Sequence, residues 1–261
     1  MLSCFLLEEE MTLEEFFARH RRVAVAFSGG VDSAYLLGEA LAHGAACTAY
    51  FVRTPFQPAV ELRDAEETAA ILGAELRVLP LDVLADPQVA ANPADRCYHC
   101  KRRIFAAIAA AAGVEGYTTL LDGTNASDDA GDRPGMRALA ELAVLSPLRL
   151  CGVTKDQVRR GARAMGLPVW DKPSYACLAT RIPTGTPIAA ADLERVERGE
   201  NILMDMGFRD FRLRLRAGGL LQLRQEDMAA AQARWPELQR RLGADFPHLT
   251  IDHIPRPGRE N

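Results

Sequence analysis

The chain has 261 residues, of which 48% are hydrophobic and 25% charged, and its formal net charge is −4. That balance fits a globular protein of one large or two modest domains and excludes a disordered or fibrous chain. The mild negative charge gives no global attraction for nucleic acid, and no apolar run approaches the ~18 residues of a membrane span.

The start, Met1-Leu2-Ser3-Cys4-Phe5-Leu6-Leu7 before Glu8-Glu9-Glu10, lacks the basic region of a signal peptide. A cytoplasmic location is therefore expected, with the cysteines at 4, 47, 97, 100, 151 and 177 reduced. Thr12-Leu13-Glu14-Glu15 is a capping-box pattern that opens a short helix ending near 21–22. Residues 23–27 read as a first strand, 46–52 as a second, 75–79 as a third and 117–121 as a fourth. Between them lie helical patterns to about His43, over 58–72 and over 97–112, two of them stopped by Gly73 and Gly113. Strands alternating with helices predict an α/β parallel sheet of about five strands, with ligands at the strand carboxyl ends. A further helix follows Thr154-Lys155-Asp156 and runs to Met165. The Pro-, Thr- and Gly-rich stretch 170–187 reads as a long loop, and the domain boundary is placed after Thr180. Residues 1–180 are then the α/β domain. Residues 181–261 form a small α+β domain: a helix over 190–206, strands at 211–215 and 220–224, a helix over 226–241 and a last strand near 249–251.

The chemistry sits at strand ends. Ser28-Gly29-Gly30-Val31-Asp32-Ser33 follows the first strand and opens a helix. Two glycines admit close backbone approach to an anion, and the helix start offers unpaired N–H groups. Ser28 and Ser33 add hydroxyls, and Asp32 suits a magnesium ion on the phosphates. With no Lys in the loop, it is not the GxxxxGK[ST] nucleotide loop. Val52-Arg53-Thr54 and Asp122-Gly123-Thr124-Asn125 fall at the same kind of strand end, which recruits Arg53, Thr124 and Asn125 to the nucleotide site.

Cys97-Tyr98-His99-Cys100 opens a helix, where the dipole favours thiolate. With no second CxxC, a zinc site lacks ligands. A redox pair, an iron–sulfur site completed by a distant Cys, and a coincidence at a helix start stay open. Cys177 lies in an irregular loop between Lys172 and Arg181, cations that would lower its thiol pKa and make it a nucleophile; a small buried apolar residue is the plainer reading. In 211–216, Arg212, Arg214 and Arg216 share one strand face, either solvated or clamping a phosphate or carboxylate.

Ser28 to Ser33 resembles the loop of the PP-loop ATP pyrophosphatases. Together with Arg96-Cys97-Tyr98-His99-Cys100-Lys101, Asp122 to Asn125, Arg133-Pro134-Gly135, Ser146-Pro147-Leu148, Lys172-Pro173-Ser174 and Cys177 to Pro183, it resembles the LarE-type sulfur transferases over roughly residues 20–225. The resemblance implies adenylation of a carboxylate of pyridinium-3,5-biscarboxylic acid mononucleotide by ATP and Mg2+, release of pyrophosphate, and replacement of AMP by sulfur, for a nickel-pincer cofactor. It further implies a 4Fe–4S cluster on Cys97, Cys100 and Cys177, or Cys177 as the sacrificed sulfur source. Arg181, Arg212, Arg214 and Glu200 become substrate residues on this reading. It also implies a homo-oligomer, with a sulfur donor or nickel-insertion partner, no nucleic acid and no membrane. Thr180 stands where the family commonly has Ser, and the ending 251–259 lacks the family's usual terminus. The alternatives are another adenylating PP-loop reaction (tRNA thiolation, or amidation as in NAD synthase) and a non-catalytic adenine-nucleotide module. The acidic balance argues against tRNA, Cys177 against amidation, and Asp32 with both serines against mere binding.

Overall fold

The structure is a computed structural model that describes residues 11–128, 134–173 and 175–256. In chain order its elements are α1 (Leu13–Arg19), β1 (Arg22–Ala26), α2 (Val31–Ala42), β2 (Ala46–Arg53), α3 (Ala59–Leu72), β3 (Glu75–Pro80), α4 (Pro87–Ala90) and α5 (Arg96–Val114). They continue with β4 (Leu120–Leu121), α6 (Pro134–Glu141), α7 (Pro147–Leu150), α8 (Lys155–Ala164), a 3-10 turn at Leu178–Arg181, and α9 (Ala190–Asp205). The last are β5 (Phe211–Arg214), β6 (Leu220–Leu223), α10 (Gln225–Ala233), α11 (Trp235–Leu242) and β7 (Thr250–Ile251).

The chain divides into two compact units, and neither is a continuous segment. The first comprises Met1–Val52, Glu61–Leu79 and Ile104–Lys172; the second comprises Arg53–Val60, Pro80–Arg103 and Pro173–Asn261. The sequence reading put a single cut after Thr180, whereas here the second unit also takes Arg53–Val60, which leads into α3, and Pro80–Arg103, which starts at the last residue of β3.

The first unit is built on a parallel sheet of order β3-β2-β1-β4. β1 is buried along Val23-Ala24-Val25, as a central strand covered on both faces must be. The expected fifth strand is reduced to one parallel bridge, Leu121 with Leu145, and β4 spans two residues rather than five. The capping box at Thr12 is present, and a second one, Thr154 with Gln157, starts α8. α8 packs on α2 at two close approaches. A Cβ on Gly161 would lie 2.2 Å from the Tyr35 ring, and one on Gly38 would lie 2.6 Å from the Met165 sulfur. Core side chains include Phe16, Phe17, Leu36, Leu37, Phe51 and Leu148.

The second unit holds a three-stranded sheet of order β5-β6-β7, antiparallel then parallel, and its core gathers Leu203, Phe211, Leu213, Leu221, Leu238 and Phe246. The single helix expected over 226–241 is two. Pro236 sits in the first turn of α11, where its missing N–H is harmless, but it cannot continue α10.

One turn must be glycine. A Cβ on Gly123 would meet the backbone of α2's first turn, 2.8 Å from the Ser33 nitrogen and 3.0 Å from the Asp32 carbonyl carbon. Gly123→Ala is expected to destabilise the protein by about 1–3 kcal/mol through overpacking, read as a lower urea midpoint at unchanged slope.

Candidate functional site

The loop from Ser28 to Ser33 lies in the first unit. Gly29 holds φ +75°, and a Cβ there would come within 2.7 Å of the Glu61 carbonyl oxygen, so both the turn and the close approach require glycine. Gly30 caps α2 without a side chain, which leaves the first-turn N–H groups of α2 facing outward from the cap. The Ser33 hydroxyl donates to the Gly30 carbonyl at 3.1 Å and accepts from the Ser28 N–H at 3.2 Å. The Ser28 and Ser33 hydroxyls lie 3.2 Å apart. Ser28 is exposed while Ser33 is buried, so Ser28 is the serine open to a ligand and Ser33 shapes the loop.

Asp32 is held from two sides. The Asn125 amide donates to one carboxylate oxygen at 3.0 Å, and the Lys155 ammonium pairs with the other. Asn125 is itself buried, and its side-chain oxygen accepts from the Ser127 N–H at 2.9 Å. Lys155 is the first residue of α8, and its backbone N–H donates to the Ser127 hydroxyl at 3.0 Å. Thr124 and Ser146 both donate to the buried Asp122 carboxylate, so Thr124 supports the turn through Asp122. Lys155 escaped the sequence reading. The available signal was the loop's own lack of a cation: a phosphate cradle without lysine takes its positive charge from elsewhere, and a capping box presents this one.

The thiols lie in the second unit. Cys97 and Cys100 occupy the first turns of α5, with Cys97 exposed and Cys100 half-buried; Cys177 is half-buried just before the 3-10 turn. Cys100 lies within electrostatic reach of both Cys177 and Cys97, and Cys177 of Cys97. Arg96 stands among them, its guanidinium 3.5 Å from the Cys97 sulfur. The expectation that cations and the helix start would favour thiolate is overturned at two of the three. Burial pushes the Cys100 thiol up to about 12, and it also raises Cys177, where Arg96 and Arg181 only partly offset it. Lys172 pairs instead with Asp64. The donor set suits an iron–sulfur group chemically. As placed, no group of three His, Cys, Asp or Glu among the described residues is arranged to hold a metal ion. Cys4 lies outside the described residues, as do Ser174, Arg133 and 257–259. Cys47 packs against the first unit's core, where burial pushes its thiol up to about 11.

Arg181 and Glu200 form a fully buried pair, with Nε to Oε1 at 2.7 Å and Nη2 to Oε2 at 3.0 Å. Glu200 also accepts from the Leu213 N–H at 3.0 Å and from the Tyr175 hydroxyl. Arg181 reaches the Ala176 carbonyl at 3.0 Å and the Thr180 hydroxyl at 2.7 Å. Both charges are thus engaged inside the fold. Arg212 is buried and lies over the Tyr175 ring 5.5 Å from its centroid, while Arg214 donates to the Thr180 carbonyl at 2.7 Å. Burial, with Arg181 and Arg256 nearby, lowers Arg212 to about 10. Arg216 falls beyond β5 and is exposed, so the strand itself carries two arginines rather than three. Arg53 is exposed at the end of β2.

Three curated proteins resemble the chain. An uncharacterized protein of Synechocystis is 35% identical, with 80% of this chain and 79% of that protein aligned. The pyridinium-3,5-bisthiocarboxylic acid mononucleotide synthase of Lactiplantibacillus plantarum is 30% identical, with 80% and 76% aligned. An uncharacterized protein of Methanocaldococcus jannaschii is 29% identical, with 76% and 75% aligned. No family model matches the chain. No helix among the described residues is long and apolar enough to cross a membrane.

Two outcomes are expected. Glu200→Gln leaves a buried guanidinium without its counter-charge and costs about 3–5 kcal/mol in chemical denaturation. The alkylation rate of Cys100 rises about tenfold per pH unit from pH 7 to 10, because only thiolate reacts and its fraction keeps growing below the raised pKa. A plateau near pH 9 contradicts the buried thiol.

Proposed function

Because the chain belongs to the family of the pyridinium-3,5-bisthiocarboxylic acid mononucleotide synthases, we propose that it is an ATP-dependent sulfur transferase acting on a carboxylate of pyridinium-3,5-biscarboxylic acid mononucleotide. The observation that carries this reading beyond the family name is the gathering of Cys97, Cys100 and Cys177 around Arg96 in a chain that also carries an anion cradle at Ser28 to Ser33.

The first half-reaction belongs to the cradle. A substrate carboxylate oxygen attacks the α-phosphorus of ATP, the bond to the β-phosphate bridging oxygen breaks, and pyrophosphate leaves with that electron pair. The N–H groups at the start of α2 and the Ser28 hydroxyl receive the phosphate charge. Asp32 is the residue that would hold Mg2+. Both of its oxygens are engaged in the structure, by Asn125 and Lys155, so Asp32 would hold the ion on release of Lys155, whose ammonium would then be available to the departing pyrophosphate. Lys155 thereby supplies the charge that a loop without lysine lacks.

The second half-reaction belongs to the thiols. A sulfur nucleophile attacks the acyl carbon of the adenylate, the carbon–oxygen bond to phosphate breaks, and AMP leaves. Cys97, Cys100 and Cys177 would hold a 4Fe–4S cluster, which when bound supplies a docking point for an exogenous sulfide. The arrangement of the three sulfurs without a metal-holding group keeps a second reading: the Cys177 sulfur, as thiolate, attacks the acyl carbon and expels AMP to give a thioester. A base then removes the Cys177 Cα proton and the Cβ–sulfur bond breaks, leaving dehydroalanine and a thiocarboxylate that carries the sulfur electron pair. Arg212 and Arg214 are the proposed phosphate clamp for the mononucleotide.

The test is incubation of the purified chain with ATP, Mg2+ and the biscarboxylic mononucleotide, reading pyrophosphate and the mass of the product. Substrate-dependent pyrophosphate release with exchange of oxygen for sulfur is expected, whereas release that no carboxylate stimulates overturns the proposal. Asp32→Ala and Lys155→Ala are each expected to slow release by about a hundredfold. Iron and sulfide analysis of anaerobically purified protein, set beside the mass of Cys177 after turnover, separates the two sulfur sources.

A further inference from the structure

Among the described residues Asn92 is the buried non-glycine residue with a positive φ. It holds φ +54° without being glycine and is 2% exposed. Asn tolerates the left-handed region better than most side chains, but such positions still cost of order 1–3 kcal/mol and persist where their surroundings over-determine them.

Here every polar group of the side chain is used. The Asn92 amide nitrogen donates to the Pro183 carbonyl at 2.9 Å and to the Thr186 carbonyl at 3.1 Å. Its side-chain oxygen accepts from Arg96 Nη1 at 2.9 Å, and its backbone carbonyl accepts from the Gly185 N–H at 2.8 Å. Arg96 completes the tie. The same Nη1 donates to the Ala179 carbonyl at 3.0 Å, Nη2 points to the Cys97 sulfur at 3.5 Å, and the guanidinium lies 5.8 Å from the centroid of the Phe56 ring. Phe56 in turn accepts, through its carbonyl, from the Leu178 N–H at 2.9 Å.

The segment that leads into Cys97 and Cys100 is therefore bonded to the segment that follows Cys177 through two side chains. Neither is a thiol, and neither is assigned a role by the sulfur chemistry itself. We propose that Asn92 and Arg96 are positioning residues that clasp the Cys177 loop onto the start of α5, so that Cys177 stands beside Cys97 and Cys100. The inference rests on the sulfur-transfer reading for its purpose, but not for its geometry. Asn92 sets the loop 183–186, Arg96 sets Ala179, and the thiols follow from both.

The measurement is cross-linking of the reduced full-length chain with dibromobimane, with the bridged peptides mapped by mass spectrometry. Cys97 and Cys100 share one helix, so the bridge between them is an internal control for thiol reactivity. The clasp is read as the ratio of bridges joining Cys177 to either of them over that control. Asn92→Gly keeps the left-handed backbone accessible and removes only the side-chain bonds; Arg96→Ala removes the guanidinium. Each is expected to lower the ratio by about tenfold, as loss of buried, charge-assisted hydrogen bonds implies. Arg96→Lys restores part of it by keeping one donor and the charge.

In parallel, product formation is expected to fall in both variants while ATP–pyrophosphate exchange keeps its rate, since Ser28 to Ser33, Lys155, Arg212 and Arg214 are all left unchanged. A ratio that stays at the wild-type value in Asn92→Gly overturns the clasp, as does a wild-type chain that never bridges Cys177 to the pair. Should Arg96→Ala fail to fold, Asn92→Gly and Arg96→Lys still decide. Absence of exchange and product in the wild type, with the ratio behaving as described, removes the sulfur-transfer reading and leaves the clasp standing.

Discussion

A guanidinium sealed from water needs a carboxylate, and in the second unit that demand orders everything near Cys177. Arg181 has no exposed side-chain surface and Glu200 has 1%. Burying either charge alone would cost several kcal/mol, so the two meet in a two-pronged pair and their remaining bonding positions are filled by other groups. Glu200 takes the Leu213 N–H and the Tyr175 hydroxyl, which fastens α9 to β5 and to the loop before Cys177. Arg181 takes the Ala176 carbonyl, which fixes the same loop from its other side. The Tyr175 ring then lies between Arg181 and Arg212, with both guanidiniums over it. In this closed setting burial outweighs the nearby Arg96 and Arg181 and raises the Cys177 thiol above its ordinary range.

The first unit answers a different constraint. A phosphate cradle needs exposed N–H groups and positive charge, yet both are costly while no anion is bound. Gly30 in place of a capping side chain leaves the N–H groups of α2 free of an internal acceptor. The charge is parked as an ion pair between Lys155 and Asp32, steadied by Asn125. In the proposed reaction, exchanging that pair for Mg2+ and pyrophosphate would trade one satisfied arrangement for another. It requires no rebuilding of the loop, since Gly29 and Gly123 already hold the backbone at its closest approach.

Much of this was legible in the residues. The order of the four strands in residues 11–121 and the longer helices between them, the capping box at Thr12 and the small sheet of the second unit follow from apolar periodicity and local capping, which act over a few residues; α4 and the capping box at Thr154 were not read. The misses share a cause as well. β4 is shorter than read because only Leu120 and Leu121 pair with β1, and α10 ends early because a proline starts its neighbour. The pairing of Arg181 with Glu200 was not read from the sequence, since two opposite charges on separate segments find one another only after folding.

By itself, then, the amino-acid order determined the parallel α/β arrangement, the glycine-built cradle at Ser28 to Ser33 and the presence of three cysteines in two loop-and-helix motifs. Each is encoded by neighbours in the chain. Only the tertiary structure decided that Lys155 serves Asp32 from 123 positions away, that Asn92 and Arg96 bind the segment after Cys177, and that two of the thiols are driven up rather than down. Those outcomes depend on desolvation and on long-range pairing, and both exist only once the chain has closed around them.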